Sequence, residues 1–163
     1  TVTLVDTGED TQTGGRIGRV AEYLDGERFC LTYGDGVADI DIAASLEFHA
    51  GQGARCTMAG VRPPGRFGAI EMEGDRVSRF AEKPRGDGNI INGGFFVCEP
   101  SVLELIDGDA CVWEQGPLNT MAENGELAAF RHDGFWQPMD TLREKNQLEA
   151  LWESGEAPWK IWN

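Results

Sequence analysis

The sequence is poor in histidine and has no long apolar runs. It holds only two histidines among 163 residues, and none of its four cysteines forms a C-x-x-C pair, so a zinc site is not expected. No apolar run approaches the roughly 18 residues of a membrane span. The first residues also lack the charged-then-apolar layout of a signal peptide. We therefore expect a cytoplasmic protein with no membrane partner.

Positive charge is scarce as well. There are 14 Lys and Arg residues against 28 Asp and Glu residues, which gives a formal net charge of -14 and a pI near 4.4. A chain with this charge repels nucleic acid and anionic lipid, so neither is an expected partner. If the substrate is itself an anion, a divalent cation has to mediate between it and the protein.

The chain is long enough to form one folded domain, which we place over residues 1–163. Hydrophobic residues make up 40% and charged residues 26%, which excludes a disordered tail or a coiled coil. Four cysteines lie mostly among apolar neighbours, and we interpret them as small buried hydrophobes in a reducing compartment. They are Cys30, Cys56, Cys98 and Cys111.

Strand and helix signals alternate in the first third of the chain, in the order β-α-β-α-β, which predicts a parallel, doubly wound sheet. The predicted elements are a strand over Val2 to Val5, a helix from Ile17 to Leu24, a strand over Arg28 to Tyr33, a helix from Asp41 to Gly51 and a strand over Ala54 to Val61.

After Arg62 the pattern is typical of antiparallel structure. Predicted here are a hairpin around Gly74, a strand over Ile90 to Cys98, a short helix over Pro100 to Ile106, and an antiparallel pair formed by Leu127 to Arg131 and Gly134 to Gln137. Thr141 and Glu144 form a capping-box pattern that starts a closing helix. The fold class is therefore α/β: a Rossmann-like, mixed, mainly parallel sheet flanked by helices, with antiparallel additions.

Two carboxylates stand out as candidate site residues. Asp35 lies between Gly34 and Gly36 where a predicted strand ends, and open α/β sheets bind ligands at the carboxyl ends of their strands. Asp140 immediately precedes Thr141 at the start of the closing helix. A plain surface turn would explain Asp35 without any function, and helix-end electrostatics would explain Asp140. The functional interpretation is that both bind one Mg2+.

Other polar positions could contact a substrate. Asn92, followed by two glycines, interrupts an apolar strand, and such glycines often mark the close approach of a ligand or of another backbone. Lys83, held before a proline, could serve as a point charge for a phosphate, although a solvated lysine would look the same.

Six motifs in this order resemble those of the sugar nucleotidyltransferases, and specifically the glucose-1-phosphate cytidylyltransferase group. The motifs are Thr11-Gln12-Thr13-Gly14-Gly15-Arg16, Tyr33-Gly34-Asp35-Gly36, Pro63-Pro64-Gly65-Arg66-Phe67-Gly68, Glu82-Lys83-Pro84, Ile91-Asn92-Gly93-Gly94-Phe95-Phe96 and Phe135-Trp136-Gln137-Pro138-Met139-Asp140-Thr141. The resemblance implies a fold of the nucleotide-diphospho-sugar transferase type. It also implies Mg2+-dependent transfer of CMP from CTP to glucose 1-phosphate, giving CDP-glucose and pyrophosphate for bacterial O-antigen synthesis, by a homo-oligomer.

The resemblance also assigns roles to residues. Asp35 and Asp140 match the magnesium-binding aspartates, and together with Lys83 they are the expected catalytic positions. The remaining matches are substrate contacts: Thr11 and Arg16 at the nucleotide or phosphate, Gly34 against the nucleotide, and Gly68, Glu82, Asn92 and Gly93 at the sugar phosphate.

One part of the family pattern has no counterpart here. The glycine-rich loop and the following lysine, which hold the triphosphate and base, are missing, so an N-terminal truncation is expected and the chain alone should make little CDP-glucose. An alternative is a non-catalytic sugar-phosphate binding or assembly module derived from the family. A third hypothesis, glycoside hydrolysis, needs two carboxyl groups ~5–10 Å apart and no metal.

Overall fold

The computed structural model describes residues 1–63, 69–81 and 90–162, and the chain divides into two compact units. Unit 1 comprises Thr1–Thr32, Ala43–Met58 and Phe95–Phe130, and unit 2 comprises Tyr33–Ile42, Ala59–Gly94 and Arg131–Asn163.

The described ranges contain short strands and helices. The strands are β1 (Phe29–Thr32), β2 (Gly36–Ala38), β3 (Cys56–Val61), β4 (Ala69–Glu73), β5 (Arg76–Ala81), β6 (Ile91–Cys98), β7 (Leu127–His132) and β8 (Trp136–Pro138). The helices are α1 (Thr13–Arg19), α2 (Ile42–Gln52), α3 (Pro117–Glu123) and α4 (Leu142–Glu153), with 3-10 turns at Ala21–Tyr23 and Pro100–Leu105.

Four strands form a sheet in the order β1-β6-β3-β7, in which β1 and β6 are antiparallel. Strand β6 also runs against β3, because Glu99 donates to the Arg55 carbonyl at one end while Gly93 contacts Val61 at the other. Strands β3 and β7 begin together, since Arg55 and its successor both donate to the Glu126 carbonyl. Three strands therefore share a direction and β6 opposes it. The predicted class, a mixed and mainly parallel sheet with helices, is confirmed.

The predicted strand over Val2 to Val5 is wrong. Residues 1–8 have no regular secondary structure, and Val2 and Leu4 are 86% and 94% exposed. A strand needs a partner for its backbone N–H and C=O groups, and here no described strand pairs with this segment. The first β-α-β unit is consequently missing, and β6 rather than β3 is the neighbour of β1.

The predicted antiparallel pair in the last third of the chain is also wrong, although both of its strands exist. Strand β7 is the end strand of the four-stranded sheet, whereas β8 pairs with β2 in a separate two-stranded sheet. In that sheet Ala38 lies opposite Trp136. Strand β2 was not predicted, because a three-residue strand that begins with glycine carries no alternating apolar pattern.

Elements defined by local signals are confirmed. Strands β4 and β5 form the predicted hairpin, with Gly74 at a φ of 60° in its turn. Helix α4 begins with the predicted capping box: the Thr141 hydroxyl accepts from the Glu144 N–H, and the Glu144 carboxylate accepts from the Thr141 N–H. Helix α2 matches the helix predicted after Asp41. The described helices are too short or too polar to cross a membrane.

The core of unit 1 is built around Trp113, which is fully buried and meets the Phe96 ring edge-on, with centroids 6.0 Å apart. Cys56 and Cys98 are buried beside each other with sulfurs 3.7 Å apart. All four cysteines are free thiols, but Cys30 is exposed, so the prediction that it is buried is wrong. The reason is its place in β1, an end strand whose alternate residues face solvent.

Candidate functional site

The β2–β8 pair brings Asp35 and Asp140 to the same end of one small sheet. Gly36 lies opposite Pro138 in this ladder. One residue beyond this pair, the Met139 N–H donates to the Asp35 carbonyl over 2.6 Å. Asp140 follows directly, and both aspartates are exposed. The backbone therefore brings the two predicted aspartates close together, although they are far apart in the sequence.

The start of helix α4 holds the backbone of Asp140. The Glu144 carboxylate accepts from the N–H groups of both Asp140 and Thr141, at 3.1 and 3.0 Å. The Thr141 hydroxyl accepts from the Glu144 N–H at 3.2 Å. Because these bonds satisfy helix N-terminal donors and fix the entry of the chain, Asp140 has a defined backbone position. Its location just before the N-cap also suits a negative charge.

The loop that contains Asp35 leaves space next to the backbone at Gly34. Gly34 is exposed, and a Cβ added there would meet no atom of the described residues within 4 Å. A bulky ligand can therefore approach the backbone next to Asp35 without meeting a side chain of residue 34. This space supports the interpretation of Gly34 as a ligand-facing position, and it distinguishes Gly34 from the glycines of β6.

The donor set at this end suits a hard cation. Carboxylate oxygens are ligands that Mg2+ prefers, and Mg2+ usually takes one or two of them together with substrate phosphate oxygens. Within the described ranges, no cluster of three or more His, Cys, Asp or Glu side chains could hold a metal by itself. Two carboxylates and a phosphate-bearing substrate together would provide a suitable oxygen set.

The Asn92 side chain forms hydrogen bonds with two residues of the same unit. Its Oδ1 accepts from the Gly94 N–H at 2.9 Å, and its Nδ2 donates to the Tyr33 hydroxyl at 3.4 Å. Since the Gly94 N–H can only donate, the oxygen of the amide must face Gly94 and the nitrogen must face Tyr33. Asn92 is thus a half-buried amide with a defined orientation.

The two glycines after Asn92 are explained by packing within the protein. A Cβ on Gly93 would lie 2.6 Å from Val61 Cγ1, and a Cβ on Gly94 would lie 2.7 Å from the Tyr33 ring. Gly94 also has a φ of 77°, which favours glycine. Of the two alternatives left open by the sequence, close approach by another part of the chain accounts for both positions.

The two predicted nucleotide contacts of unit 1 lie at helix α1. Thr11 is 6% exposed and precedes the helix. Arg16 is exposed, and its guanidinium donates to the Thr7 hydroxyl at 2.7 Å and to the Glu9 carbonyl at 3.1 Å. In this structure Arg16 therefore stabilises the loop that leads into α1.

Three predicted site residues cannot be placed. Gly68, Glu82 and Lys83 lie outside the described residues. The predicted roles of these residues at the sugar phosphate remain predictions.

Sequence reasoning missed Trp136 and Asp39. The Trp136 indole N–H donates to the Gly93 carbonyl over 2.8 Å. Asp39 Oδ1 accepts from the Phe135 N–H at 2.7 Å and lies 3.0 Å from His132 Nε2. These contacts join residues that are distant in the sequence, and only the presence of Trp136 inside a recognised motif hinted at a role.

Unit 1 also holds a buried polar cluster around His49, which is 2% exposed. Its Nδ1 lies 2.8 Å from the Thr57 hydroxyl, and its Nε2 lies 3.2 Å from Glu99 Oε1. Arg28 donates to the same oxygen. The hydrogen bond from Arg28, assisted by His49, holds the pKa of Glu99 below its ordinary value of 4.5. Both ring nitrogens of His49 lie at hydrogen-bonding distance from side chains of the protein, which is typical of a structural network.

Comparison with known proteins finds a match to the nucleotidyl transferase family over residues 5–136. A glucose-1-phosphate cytidylyltransferase from Salmonella typhi is 61% identical over 162 residues, which is 99% of this chain and 63% of the relative. A probable glucose-1-phosphate cytidylyltransferase from Bacillus subtilis is 40% identical over the same shares. A mannose-1-phosphate guanylyltransferase catalytic subunit from Danio rerio is 32% identical over 86% of this chain and 42% of the relative. The chain thus spans 63% of the length of the first two relatives.

Solved structures share the fold at low sequence identity. A UDP-glucose pyrophosphorylase complexed with UDP-glucose superposes with a TM-score of 0.65 at 14% identity, over 93% of this chain and 65% of that one. A glucose-1-phosphate thymidylyltransferase described as putative, from Bacillus anthracis, gives 0.64 at 16% identity, over 96% and 64%. At these identities the likeness supports the fold alone.

Proposed function

The chain belongs to the nucleotidyl transferase family, and from that premise we propose that it transfers CMP from CTP to glucose 1-phosphate. The products are CDP-glucose and pyrophosphate. The observation that supports a working site is the juxtaposition of Asp35 and Asp140 by the Met139–Asp35 backbone bond. The choice of substrates is supported by 61% identity with the Salmonella typhi cytidylyltransferase, against 32% with the mannose-1-phosphate guanylyltransferase.

The reaction is an in-line displacement. A phosphate oxygen of glucose 1-phosphate attacks the α-phosphorus of CTP and forms the new P–O bond, while the bond from that phosphorus to the bridging oxygen breaks and pyrophosphate leaves. No covalent enzyme intermediate is needed, so the protein acts by positioning the reactants and neutralising their charge.

Asp35 and Asp140 are the residues that would hold Mg2+ at the end of the β2–β8 pair. When bound there, the ion offsets the negative charge of the substrate phosphates. This assignment also reconciles the net charge of -14 with anionic substrates, because a bound Mg2+ would offset the charge of the two carboxylates locally.

Other residues would orient the substrates. The Asn92 amide keeps an N–H and an acceptor lone pair beyond its bonds to Tyr33 and Gly94, and these suit sugar hydroxyls. The exposed backbone at Gly34 leaves room for the nucleotide. We propose Gly68, Glu82 and Lys83 as further contacts to the sugar phosphate, Gly93 as the backbone that carries Asn92, and Thr11 and Arg16 as contacts near the nucleotide.

The proposal is tested by pyrophosphate release from the protein expressed at its native length. Each of CTP, UTP and GTP is combined with glucose 1-phosphate or mannose 1-phosphate, in Mg2+ or in a chelator. We expect rapid release only with CTP, glucose 1-phosphate and Mg2+. Binding of glucose 1-phosphate without any transfer would favour the non-catalytic module, and transfer with another nucleotide would refute the choice of CTP.

A further inference from the structure

The segment Asn92–Gly94 is held from two sides by aromatic residues that carry no role in the proposed chemistry. On one side is Tyr33: its N–H donates to the Gly94 carbonyl at 2.9 Å, and its hydroxyl accepts from Asn92 at 3.4 Å. Its ring also covers the position that a Gly94 side chain would occupy. Tyr33 therefore holds both the backbone and the side chain of this segment.

On the other side is Trp136, whose indole N–H donates to the Gly93 carbonyl over 2.8 Å. The indole N–H is a donor only, and it takes a backbone acceptor at the residue after Asn92. Trp136 is fixed in turn by its place in β8 opposite Ala38. This side-chain bond connects the strand that carries Asn92 with the strand that leads to Asp140.

The segment has little room to adjust. Gly93 is in close contact with Val61 on β3, and Gly94 leaves regular strand geometry with a φ of 77°. A shift of the Gly93 carbonyl would move the adjoining Asn92 amide by a similar distance. Because contact residues must be placed to within a fraction of an ångström, such a shift would weaken substrate binding.

We infer that Tyr33 and Trp136 are positioning residues that clamp Asn92–Gly94 and thereby set the orientation of the Asn92 amide toward the sugar phosphate. The inference rests on the proposed function in that glucose 1-phosphate is the ligand of Asn92. It adds two residues that act through Asn92 rather than on the substrate. It also links the sugar-phosphate contact to strand β8, which leads to Asp140.

The test uses Tyr33→Phe and Trp136→Phe, which keep an aromatic ring and remove one hydrogen-bonding group each. Trp152→Phe is the matched control, because Trp152 is half exposed and lies on helix α4. Calorimetry on the native-length protein measures the Kd for glucose 1-phosphate and for CTP with Mg2+. We expect each clamp variant to raise the Kd for glucose 1-phosphate about tenfold. We expect no change in the Kd for CTP, and no change in either Kd for the control.

Hydrogen exchange of the indole N–H groups is a second measurement that needs no ligand. The Trp136 indole N–H should exchange much more slowly than that of Trp152, and Tyr33→Phe should leave this difference in place. Equal exchange at Trp136 and Trp152 would overturn the clamp.

The outcomes separate this inference from the proposed function. If CTP transfer occurs but the clamp variants bind glucose 1-phosphate like the control, the inference alone fails. If the variants lose glucose 1-phosphate affinity selectively but the wild-type protein transfers nothing, the proposed function alone fails. Equal losses of affinity for both ligands would show a merely structural role and overturn the inference, as would a wild-type protein that does not bind glucose 1-phosphate.

Discussion

The backbone N–H of Met139 donates to the backbone carbonyl of Asp35 over 2.6 Å. This bond extends the β2–β8 ladder by one residue beyond the Gly36–Pro138 pair. Because it involves main-chain atoms only, it does not depend on the side chains of Asp35 and Asp140. Substitution of either aspartate should therefore change the chemistry of the site without removing the arrangement that created it.

The capping box of helix α4 should contribute measurably to stability. Thr141→Ala removes the acceptor of the Glu144 N–H and is expected to lower the free energy of unfolding by about 1 kcal/mol in urea denaturation. Thr120→Ala, at an exposed position within α3, is the control and should not destabilise the protein. Equal stability of Thr141→Ala and the wild type would contradict the role assigned to this cap.

Acid should weaken the cluster around Glu99. Its pKa in the folded state lies below the ordinary value of 4.5, chiefly because Arg28 donates to it. The unfolded chain therefore binds more protons at this residue in acid. The stabilisation is present above pH 4.5 and is lost as the pH falls through the folded-state pKa.

We accordingly expect Glu99→Gln to be less stable than the wild type at neutral pH, with a difference that shrinks on acidification. The measurement is the free energy of unfolding in urea from about pH 7 to about pH 3. Glu123→Gln, at an exposed position at the end of α3, is the matched control for the loss of one surface carboxylate. A Glu99→Gln deficit that stays constant over the whole range would refute the assignment.

An added methyl group should lower stability at Gly93 and lower CTP affinity at Gly34. Gly93→Ala places Cβ 2.6 Å from Val61 Cγ1, so we expect it to lower the free energy of unfolding by about 1–3 kcal/mol. The Cβ of Gly34→Ala would meet no atom within 4 Å in the part of the chain that the structure describes, so this variant should keep its stability while its CTP affinity falls. Thermal unfolding and calorimetry with CTP measure the two effects. A destabilised Gly34→Ala, or one with wild-type affinity, would contradict the ligand-facing role.

Local features of this protein could be predicted from its sequence. The Thr141–Glu144 cap spans one helical turn, and the hairpin at Gly74 is set by its own turn residues, so the determining interactions lie close together in the chain. The failure over Val2 to Val5 has the opposite cause. Four residues of suitable composition become a strand only when a partner strand lies beside them.

The candidate site depended on contacts that a single sequence does not display. The hypothesis that Asp35 and Asp140 bind one Mg2+ rests on residue type and on resemblance to a family, because the sequence does not show the contact between their backbones. The pairing of β2 with β8 that brings them together involves a strand without a readable pattern. The bond from Trp136 to Gly93 joins two different strands in the same way. Such contacts follow from tertiary packing, not from local propensity.

The central claim is that Asp35 and Asp140 act as one unit, and a double-mutant cycle tests it most directly. CDP-glucose formation is measured over a range of Mg2+ concentrations for the native-length wild type, Asp35→Asn, Asp140→Asn and the double variant. Asp75→Asn, at an exposed turn position in the same unit, is the control. We predict that each single variant loses about 100-fold in rate, that the double variant loses no more than either, and that the control behaves as wild type. Losses that multiply in the double variant, or a wild-type rate and Mg2+ requirement in either single variant, would contradict the claim.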